Sequence, residues 1–345
     1  MTAAWLRRSR QLLHFRAEVN PFFHLAGLQG PDDSVPEQAP TEPLWARMRS
    51  DIGRPGAFEP SSFAKDLLER LSLQWPDRAL TLEQVRAAMP PGPVDDAFHE
   101  ALLQRLGLSR WYYDLPPGPD WGEQPQGPPG RVLEEPPLVC IQPWERGQPL
   151  DRPLIMKTPS LAYRLPYLRR VFEGWRFRVL HLVRGPGAAI NGLVDGWRYP
   201  TGFFSHRLDL HIRGYSELHP FGQWWNFDLP PGWHQWTRSH LNEVCGFQWR
   251  AAHGAILDFL DQHPEVERCR VHFEDLLHSP EAAGRLLDWL EVEDPLLSEG
   301  LAAMPPVMAS SRPRARRWFD RAEELEAVLQ RPDTLALARR LETRE

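Results

Sequence analysis

Lysine is nearly absent from this chain of 345 residues: Lys65 and Lys157 are the two lysines among its 40 basic residues. A coding preference for arginine accounts for most of this bias. A retained lysine is still informative, because its compact charge is not always replaced by arginine's planar fork. Lys65 lies in an amphipathic helical pattern and is interpreted as a solvated surface residue. Lys157 follows an apolar run, which makes it a candidate functional residue.

Cysteine is also scarce. Cys140, Cys245 and Cys269 are too few and too scattered for a disulfide framework or a zinc site. No apolar run approaches the roughly 20 residues of a membrane helix. The N-terminal arginines are not followed by the apolar stretch of a secretory signal. We therefore expect a cytoplasmic protein with no membrane span and no metal.

Excess positive charge is missing as well. The net charge of −6 argues against a nucleic-acid partner, although a local basic pocket for a small anion is compatible with it. Fifteen Trp and sixteen Phe supply a core and exclude wholesale disorder. The length allows one large domain or two small ones. We expect a single domain over 1–345, with a divergent N-terminal part (1–137), a core (138–320) and a C-terminal helix (321–345).

The N-terminal part shows weak patterns. Residues 1–20 resemble a basic amphipathic helix, and 21–27 form a short apolar run compatible with a strand. Helical periodicity recurs over 61–72, 82–89 and 94–106.

From residue 138 the pattern sharpens. Apolar runs at 138–141, 154–156 and 177–183 predict strands, and helices are predicted between and after them, over 161–172 and 188–197. This alternation is typical of a parallel α/β sheet with flanking helices. Ligands bind at the carboxyl ends of such strands, where Lys157 and Arg184 lie. Two cations beside helix N-termini predict an anion site.

A third basic element lies near the C-terminus. Five arginines fall between positions 312 and 321, next to Trp318. A solvated loop is the simpler interpretation of any one of them. Together they could close over a phosphorylated ligand.

These motifs, in this order, resemble bacterial sulfotransferases. The matching segments are Lys-Thr-Pro at 157–159 with Arg-Leu-Pro-Tyr-Leu at 164–168, His-Leu-Val-Arg-Gly-Pro at 181–186, Glu-Asp-Leu at 274–276 with Ser-Pro-Glu at 279–281, and the arginine–Trp loop at 312–318. The resemblance covers roughly 138–320. It implies a three-layer, P-loop NTPase-like α/β fold. It also implies transfer of a sulfuryl group from 3′-phosphoadenosine 5′-phosphosulfate, without a metal, to a hydroxyl or amine of a small molecule or glycan.

The resemblance also implies roles for individual residues. Arg184 would bind the 3′-phosphate, Lys157 with Thr158 would lie at the sulfuryl group, Arg314, Arg316 or Arg317 would complete the phosphate clamp, and Trp318 would pack beside the nucleotide.

Two departures from the family pattern are visible. Gly192 stands where the family has a phosphate-binding serine, and we expect its backbone or the Asn191 side chain to substitute. The N-terminal 5′-phosphosulfate loop has no clean copy. One candidate is 22–30, which lacks a basic residue. The other is 53–62, where Gly53, Arg54 and Gly56 would bind the donor.

An acceptor hydroxyl needs a base, most often histidine. We predict His206 for this role, ahead of His99, His211, His219, His253 and Glu100. The aromatic segment 197–236 forms either the acceptor pocket or ordinary packing. Two other functions stay open: a non-catalytic scaffold that keeps the fold, and a kinase-like transferase. The latter lacks the P-loop signature.

Overall fold

The computed structural model describes residues 2–9, 11–15, 18–28, 30–52, 60–74, 78–92, 96–108, 141–142, 152–199, 203–219, 221–304 and 314–342. The strands in these ranges are β1 (Leu13–Phe15), β2 (Ile141–Gln142), β3 (Leu154–Ile155), β4 (Arg178–Val183), β5 (Phe204–Arg207), β6 (Trp224–Asn226) and β7 (Glu267–His272). The α-helices are α1 (Thr2–Leu6), α2 (Asn20–Leu25), α3 (Glu42–Ile52), α4 (Pro60–Gln74), α5 (Leu82–Ala88), α6 (Asp96–Arg105), α7 (Leu165–Val171), α8 (Pro186–Arg198), α9 (Leu241–Gln262), α10 (Phe273–His278), α11 (Pro280–Leu290), α12 (Ala322–Leu329) and α13 (Pro332–Leu341).

The strands form small sheets of mixed direction. In the first, β1 lies between β2, which is antiparallel to it, and β3, which is parallel. In the second, β4 pairs in parallel with β7, from Arg178 opposite Glu267 to Val183 opposite His272. The third is an antiparallel pair, β5 with β6. The described residues therefore form a mixed α/β structure with two parallel strand pairs, whereas the sequence predicts a continuous three-layer parallel sheet.

The two parallel pairs lie against one apolar cluster. Ile155 of β3 and Leu180 of β4 pack against this cluster, which also contains Leu12 from the segment before β1 and Val271 of β7. Burial of these aliphatic side chains is favourable by about 25 cal/mol per Å² of apolar surface removed from water. The strands β3 and β4, whose carboxyl ends carry the predicted site residues, thus pack against the same apolar cluster.

The aromatic segment predicted as an acceptor pocket supplies part of the largest apolar cluster among the described residues. Trp197 and Trp225 are fully buried and meet edge to face, with ring centroids 5.2 Å apart. Tyr215 packs against Trp197 in the same manner at 4.9 Å. Trp197 belongs to α8, and the three rings share one apolar cluster with other residues of α8 and with α9. Ordinary packing therefore accounts for the most deeply buried aromatic residues of the segment.

Two N-terminal predictions are wrong. The expected helix over 1–20 stops at Leu6 and gives way to β1, all of whose side chains are buried. The expected strand in 21–27 is instead part of helix α2, and Pro21 occupies its first turn, a position that suits proline. Both short apolar runs are ambiguous by periodicity, and tertiary contacts decide them.

Two predictions near the C-terminus can be compared with the structure, one for the start of α11 and one for the last helix. Ser279 caps α11 by accepting a hydrogen bond from the amide of Ala282 at 3.1 Å. The predicted C-terminal helix over 321–345 is two helices, α12 and α13. The break falls before Pro332, which cannot continue a helix from the preceding residue but is suited to begin a new one.

Candidate functional site

Arg184 stands where β4 ends and α8 begins. Its Nε donates to Glu274 Oε1 at 3.1 Å, and its guanidinium lies 5.4 Å from the centre of the Phe273 ring. The side chain remains 45% exposed. An arginine held from one side and open on the other can still receive a ligand, because its planar fork offers five N–H donors.

Two arginines of the C-terminal basic segment lie against the same helix. Arg317 forms an ion pair with Asp195, and Arg321 donates to Asp195 at 2.9 Å and to Asn191 Oδ1 at 2.6 Å. Burial lowers the pKa of Arg317, and the positive charges of Arg321 and Arg184 lower it further. Arg317 and Arg321 share Asp195 of α8, and the Arg184 guanidinium lies beside Gly192 of the same helix. We call these three residues the α8 arginine cluster.

The residues predicted to replace the family's serine have different roles. Asn191 is 3% exposed, and its side-chain oxygen accepts the hydrogen bond from Arg321, so it holds that arginine in place. A Cβ atom at Gly192 would lie 3.9 Å from a terminal nitrogen of Arg184. Gly192 therefore leaves room beside the Arg184 guanidinium but contributes no hydroxyl.

The rest of the basic segment is arranged differently. Arg314 pairs with Asp320, and Arg316 lies 5.8 Å from the Phe319 ring centre, so both contact their own loop. Trp318 packs against the main core and meets the Phe319 ring at 4.3 Å. Of the arginines predicted to complete the clamp, Arg317 is the one that contacts α8, the helix that begins after Arg184. Arg321, at the edge of the predicted basic segment, is the member that sequence reasoning did not select.

Lys157 follows β3 and meets an acidic partner. Its Nζ pairs with one carboxylate oxygen of Glu18, and Thr158 donates to the other at 2.6 Å. The Lys157 side chain is 50% exposed. Glu18 lies between β1 and α2, so the two contacts join the carboxyl ends of two parallel neighbouring strands. Sequence reasoning missed Glu18 because it did not identify β1.

Of the two loops predicted to bind the 5′-phosphosulfate, the structure describes most of one and leaves the named residues of the other outside the described ranges. Gly53, Arg54 and Gly56 lie outside the described residues. In the other candidate, the expected strand is α2, as described above. The parallel strand that enters a helix at this end of the chain is β1, which precedes Glu18 and α2.

A buried polar network lies next to Glu18. Arg164 is 4% exposed, donates to the carbonyl of Asp33 at 2.7 Å and to Asn20 Oδ1 at 2.8 Å, and stacks 3.9 Å from the Phe23 ring centre. Burial lowers the pKa of Arg164 to about 10, which leaves it charged at neutral pH. Ser160 also donates to Asn20, at 2.7 Å.

His206 faces this network from β5. Burial lowers its pKa, the charge of Asp33 raises it, and that of Arg164 lowers it. Its Nδ1 is buried and has no hydrogen-bond partner among the described residues. The structure thus places His206 by the polar network, while its catalytic role stays a prediction.

Tyr163 and Asp228 complete the network. The Tyr163 hydroxyl donates to Asp228 Oδ2. Burial raises the pKa of Asp228 to about 6, and the neighbouring charges of Asp33 and Glu18 act in the same direction. Burial also raises the pKa of Tyr163, which therefore stays protonated as the donor. A carboxyl group with such a pKa, on a residue that is half-buried as a whole, can exchange a proton near neutral pH.

Neither a metal cluster nor a membrane helix is found in the ranges that the structure describes. No group of three or more His, Cys, Asp or Glu side chains there is arranged to hold a metal ion. No helix in those ranges combines the length and apolar character needed to cross a bilayer.

Comparisons with known proteins identify one distant structural neighbour. No protein-family profile matches the chain, and no curated protein sequence matches it. A sulfotransferase domain from the curacin biosynthetic pathway is similar in structure, with a TM-score of 0.34 and 17% sequence identity. The match covers 56% of this chain and 64% of that domain. Similarity at this level does not by itself assign an activity.

Proposed function

We propose that the protein is a sulfotransferase that moves a sulfuryl group from 3′-phosphoadenosine 5′-phosphosulfate to a hydroxyl or amine of a small molecule or glycan. The observation that carries the proposal is the α8 arginine cluster. Arg184 enters it from the end of a parallel strand, and Arg317 and Arg321 enter it from a distant segment of the chain. Guanidinium groups that converge in this way suit a phosphate monoester.

The residues of the cluster fit the 3′-phosphate of the donor. Arg184 is half-exposed, and Gly192 adds no side chain beside its guanidinium. Asp195 neutralises part of the charge of Arg317 and Arg321, and it orients both groups. A phosphate with two negative charges would compete with Glu274 for Arg184, which that carboxylate holds through one contact.

Lys157 suits the other end of the donor. When bound, the donor supplies a sulfuryl group whose transfer leaves negative charge on the 5′-phosphate. Lys157 and Thr158 would donate to that oxygen, where charge increases in the transition state, and catalysis would come from position and electrostatics. Both side chains lie at the end of β3, beside the β4–β7 pair that carries Arg184.

Binding of the desulfated product tests the proposal. Calorimetric titration with 3′-phosphoadenosine 5′-phosphate should give micromolar affinity for the wild type, and Arg184→Ala should weaken it at least 30-fold, from the loss of a charged contact of about 2 kcal/mol. The matched control is Arg238→Ala, an exposed arginine whose ion pair with Asp209 is 3.7 Å long.

The alternatives predict different titrations. Equal affinity in Arg184→Ala and the wild type would remove the α8 arginine cluster from the donor site. A folded wild type that binds no bisphosphate nucleotide would favour the scaffold. Tighter binding of ATP with magnesium than of the bisphosphate would favour a kinase-like transferase.

A further inference from the structure

The loop that carries Asp228 is held in a strained conformation. Phe227 has a φ of 63°, in the left-handed region that bulky residues rarely adopt. Its ring stacks on Phe203 at 4.7 Å, and a Cβ atom at Gly196 would lie only 2.3 Å from that ring. The absence of a side chain at Gly196 therefore makes room for Phe227. Backbone strain that the surroundings enforce in this way is concentrated at functional sites.

The backbone around Asp228 is also held by hydrogen bonds from several elements. Its carbonyl accepts from Trp225 Nε1 and Gln248 Nε2, both at 2.8 Å. The next residue, Leu229, exchanges hydrogen bonds with Asp33: its amide donates to the Asp33 carboxylate at 2.8 Å, and its carbonyl accepts from the Asp33 amide at 2.9 Å. These contacts fix where the carboxylate lies.

The charges that act on Asp228 do not neutralise it. Among the described residues no cation forms an ion pair with its carboxylate, and the charges that act on it most strongly, Asp33 and Glu18, are both acidic. The hydroxyl of Tyr163 is its hydrogen-bonding side chain, and its own amide also donates to it. A carboxylate kept only for structure is normally paired with a cation, since burial of an unpaired charge is costly. Asp228 instead resembles a group kept ready to take up a proton.

Its position suits the reaction in the proposed function. Tyr163 ends the short 3-10 helix Pro159–Tyr163, which begins directly after Lys157 and Thr158. Glu18 contacts Lys157 and also acts electrostatically on Asp228. Asp228 therefore lies near the end of the donor at which the sulfuryl group would be transferred.

We propose, resting on the proposed function, that Asp228 is the general base of the transfer and that Tyr163 positions its carboxylate. The acceptor oxygen forms a bond to sulfur, and its proton passes to the carboxylate of Asp228. The bond between sulfur and the 5′-phosphate oxygen breaks, and its electron pair stays on that phosphate. His206 is less suited, because its buried Nδ1 has no hydrogen-bond partner among the described residues that would hold the ring in a fixed orientation.

The test uses Asp228→Asn, which keeps the size of the side chain and removes the base. Release of radiolabelled sulfate from the donor to water is followed from pH 5 to 8, so that no identified acceptor is needed. Wild-type release should rise through about pH 6. Asp228→Asn should release sulfate about 100-fold more slowly than the wild type, a typical contribution of a general base. His206→Gln should retain most of the wild-type rate.

Tyr163→Phe separates a catalytic role from a merely structural one. The Tyr163 hydrogen bond lowers the pKa of Asp228, so its removal should move the acidic limb of the pH profile to higher pH. The Asp228 carboxyl is also titrated directly by carbon-13 NMR and assigned by its absence in Asp228→Asn. A pKa near 4 would overturn the proposal, as would wild-type release by Asp228→Asn.

Nucleotide binding distinguishes the two proposals. Asp228→Asn should bind 3′-phosphoadenosine 5′-phosphate with wild-type affinity, because Asp228 does not belong to the α8 arginine cluster. If this nucleotide binds but the wild type releases no sulfate at any pH, the base role is wrong and the donor site stands. If the wild type does not bind the nucleotide, the proposed function fails, and the role of Asp228 fails with it.

Discussion

Glu18 binds Lys157 and Thr158, the two side chains that the resemblance assigns to the reacting end of the donor. One oxygen pairs with Lys157 and the other accepts from Thr158. Both donor groups thus have a negative partner within the chain. An anionic ligand that uses them has to displace this carboxylate first, and the displacement weakens binding.

Glu18→Gln should therefore tighten binding of 3′-phosphoadenosine 5′-phosphate. Neutralising the acidic partner of the half-exposed Lys157 corresponds to about 1 kcal/mol, or roughly fivefold in affinity. Calorimetry of the variant beside Glu326→Gln, an exposed acidic residue on α12, measures the effect. If affinity is unchanged in both variants, Lys157 and Thr158 do not contact the 5′-phosphate.

The second lysine of the chain provides the control for Lys157. Lys157→Ala should slow sulfate release about 100-fold, in line with about 3 kcal/mol for a charged donor at a transferring group. Lys65→Ala, on the exposed side of α4, should have the wild-type rate. Equal rates in the two variants would remove Lys157 from the reaction, provided that both unfold at the same urea concentration as the wild type.

At the scale of elements, helix α9 packs closely against α12 at Gly246, whereas the space beside Gly254 of the same helix is open. A Cβ atom at Gly246 would lie 2.3 Å from a methyl carbon of Val328 on α12, while one at Gly254 would meet nothing within 4 Å. Both residues lie within the same helix, so alanine improves helix propensity equally at both. The two sites differ in packing.

We expect Gly246→Ala to destabilise the protein by roughly 1–3 kcal/mol, because the added methyl group overpacks the contact between α9 and α12. Gly254→Ala should be neutral or stabilise by up to about 1 kcal/mol. Urea denaturation monitored by tryptophan fluorescence gives both values. Equal midpoints for the two variants would mean that α12 does not pack closely on α9.

At the scale of the whole molecule, two buried histidines link stability to pH. His181 on β4 and His253 on α9 share a hydrogen bond of 2.8 Å between Nε2 and Nδ1. Burial lowers the pKa of His181 to about 3 and that of His253 to about 4, and the charge of Arg270 lowers both further. The folded state therefore holds both rings neutral, while the unfolded chain protonates them below about pH 6.5.

The difference in proton uptake between the folded and unfolded states decides whether acid raises or lowers the free energy of unfolding. Between about pH 6.5 and pH 4 the unfolded state binds more protons at these residues, so the free energy of unfolding decreases as the pH falls. Between pH 6.5 and 4.5 the free energy of unfolding should fall less in His253→Gln than in the wild type, by up to roughly 2 kcal/mol. Urea titrations at both pH values measure it, with the exposed His278→Gln as control. The same loss in wild type and His253→Gln would contradict a neutral buried pair.

The sequence determined those features that depend on local chemistry. Apolar β4, with Arg184 after it and a helix behind it, was predictable because a strand, a turn and a helix N-terminus have short-range signals. The cap of α11 and the positions of Lys157 and the basic segment were predictable for the same reason. The role of each of these residues in the proposed reaction is still a prediction.

Tertiary structure alone decided which charges meet. The three-residue β1 is a strand because its neighbours bury it, and this places Glu18 against Lys157, about 140 positions away in the chain. Arg321 joins Asn191 across 130 positions, and Tyr163 joins Asp228 across 65. Such contacts have no local signal, since they arise from the packing of segments far apart in sequence. Asp228 gains its raised pKa in the same way, because burial and two distant carboxylates create it.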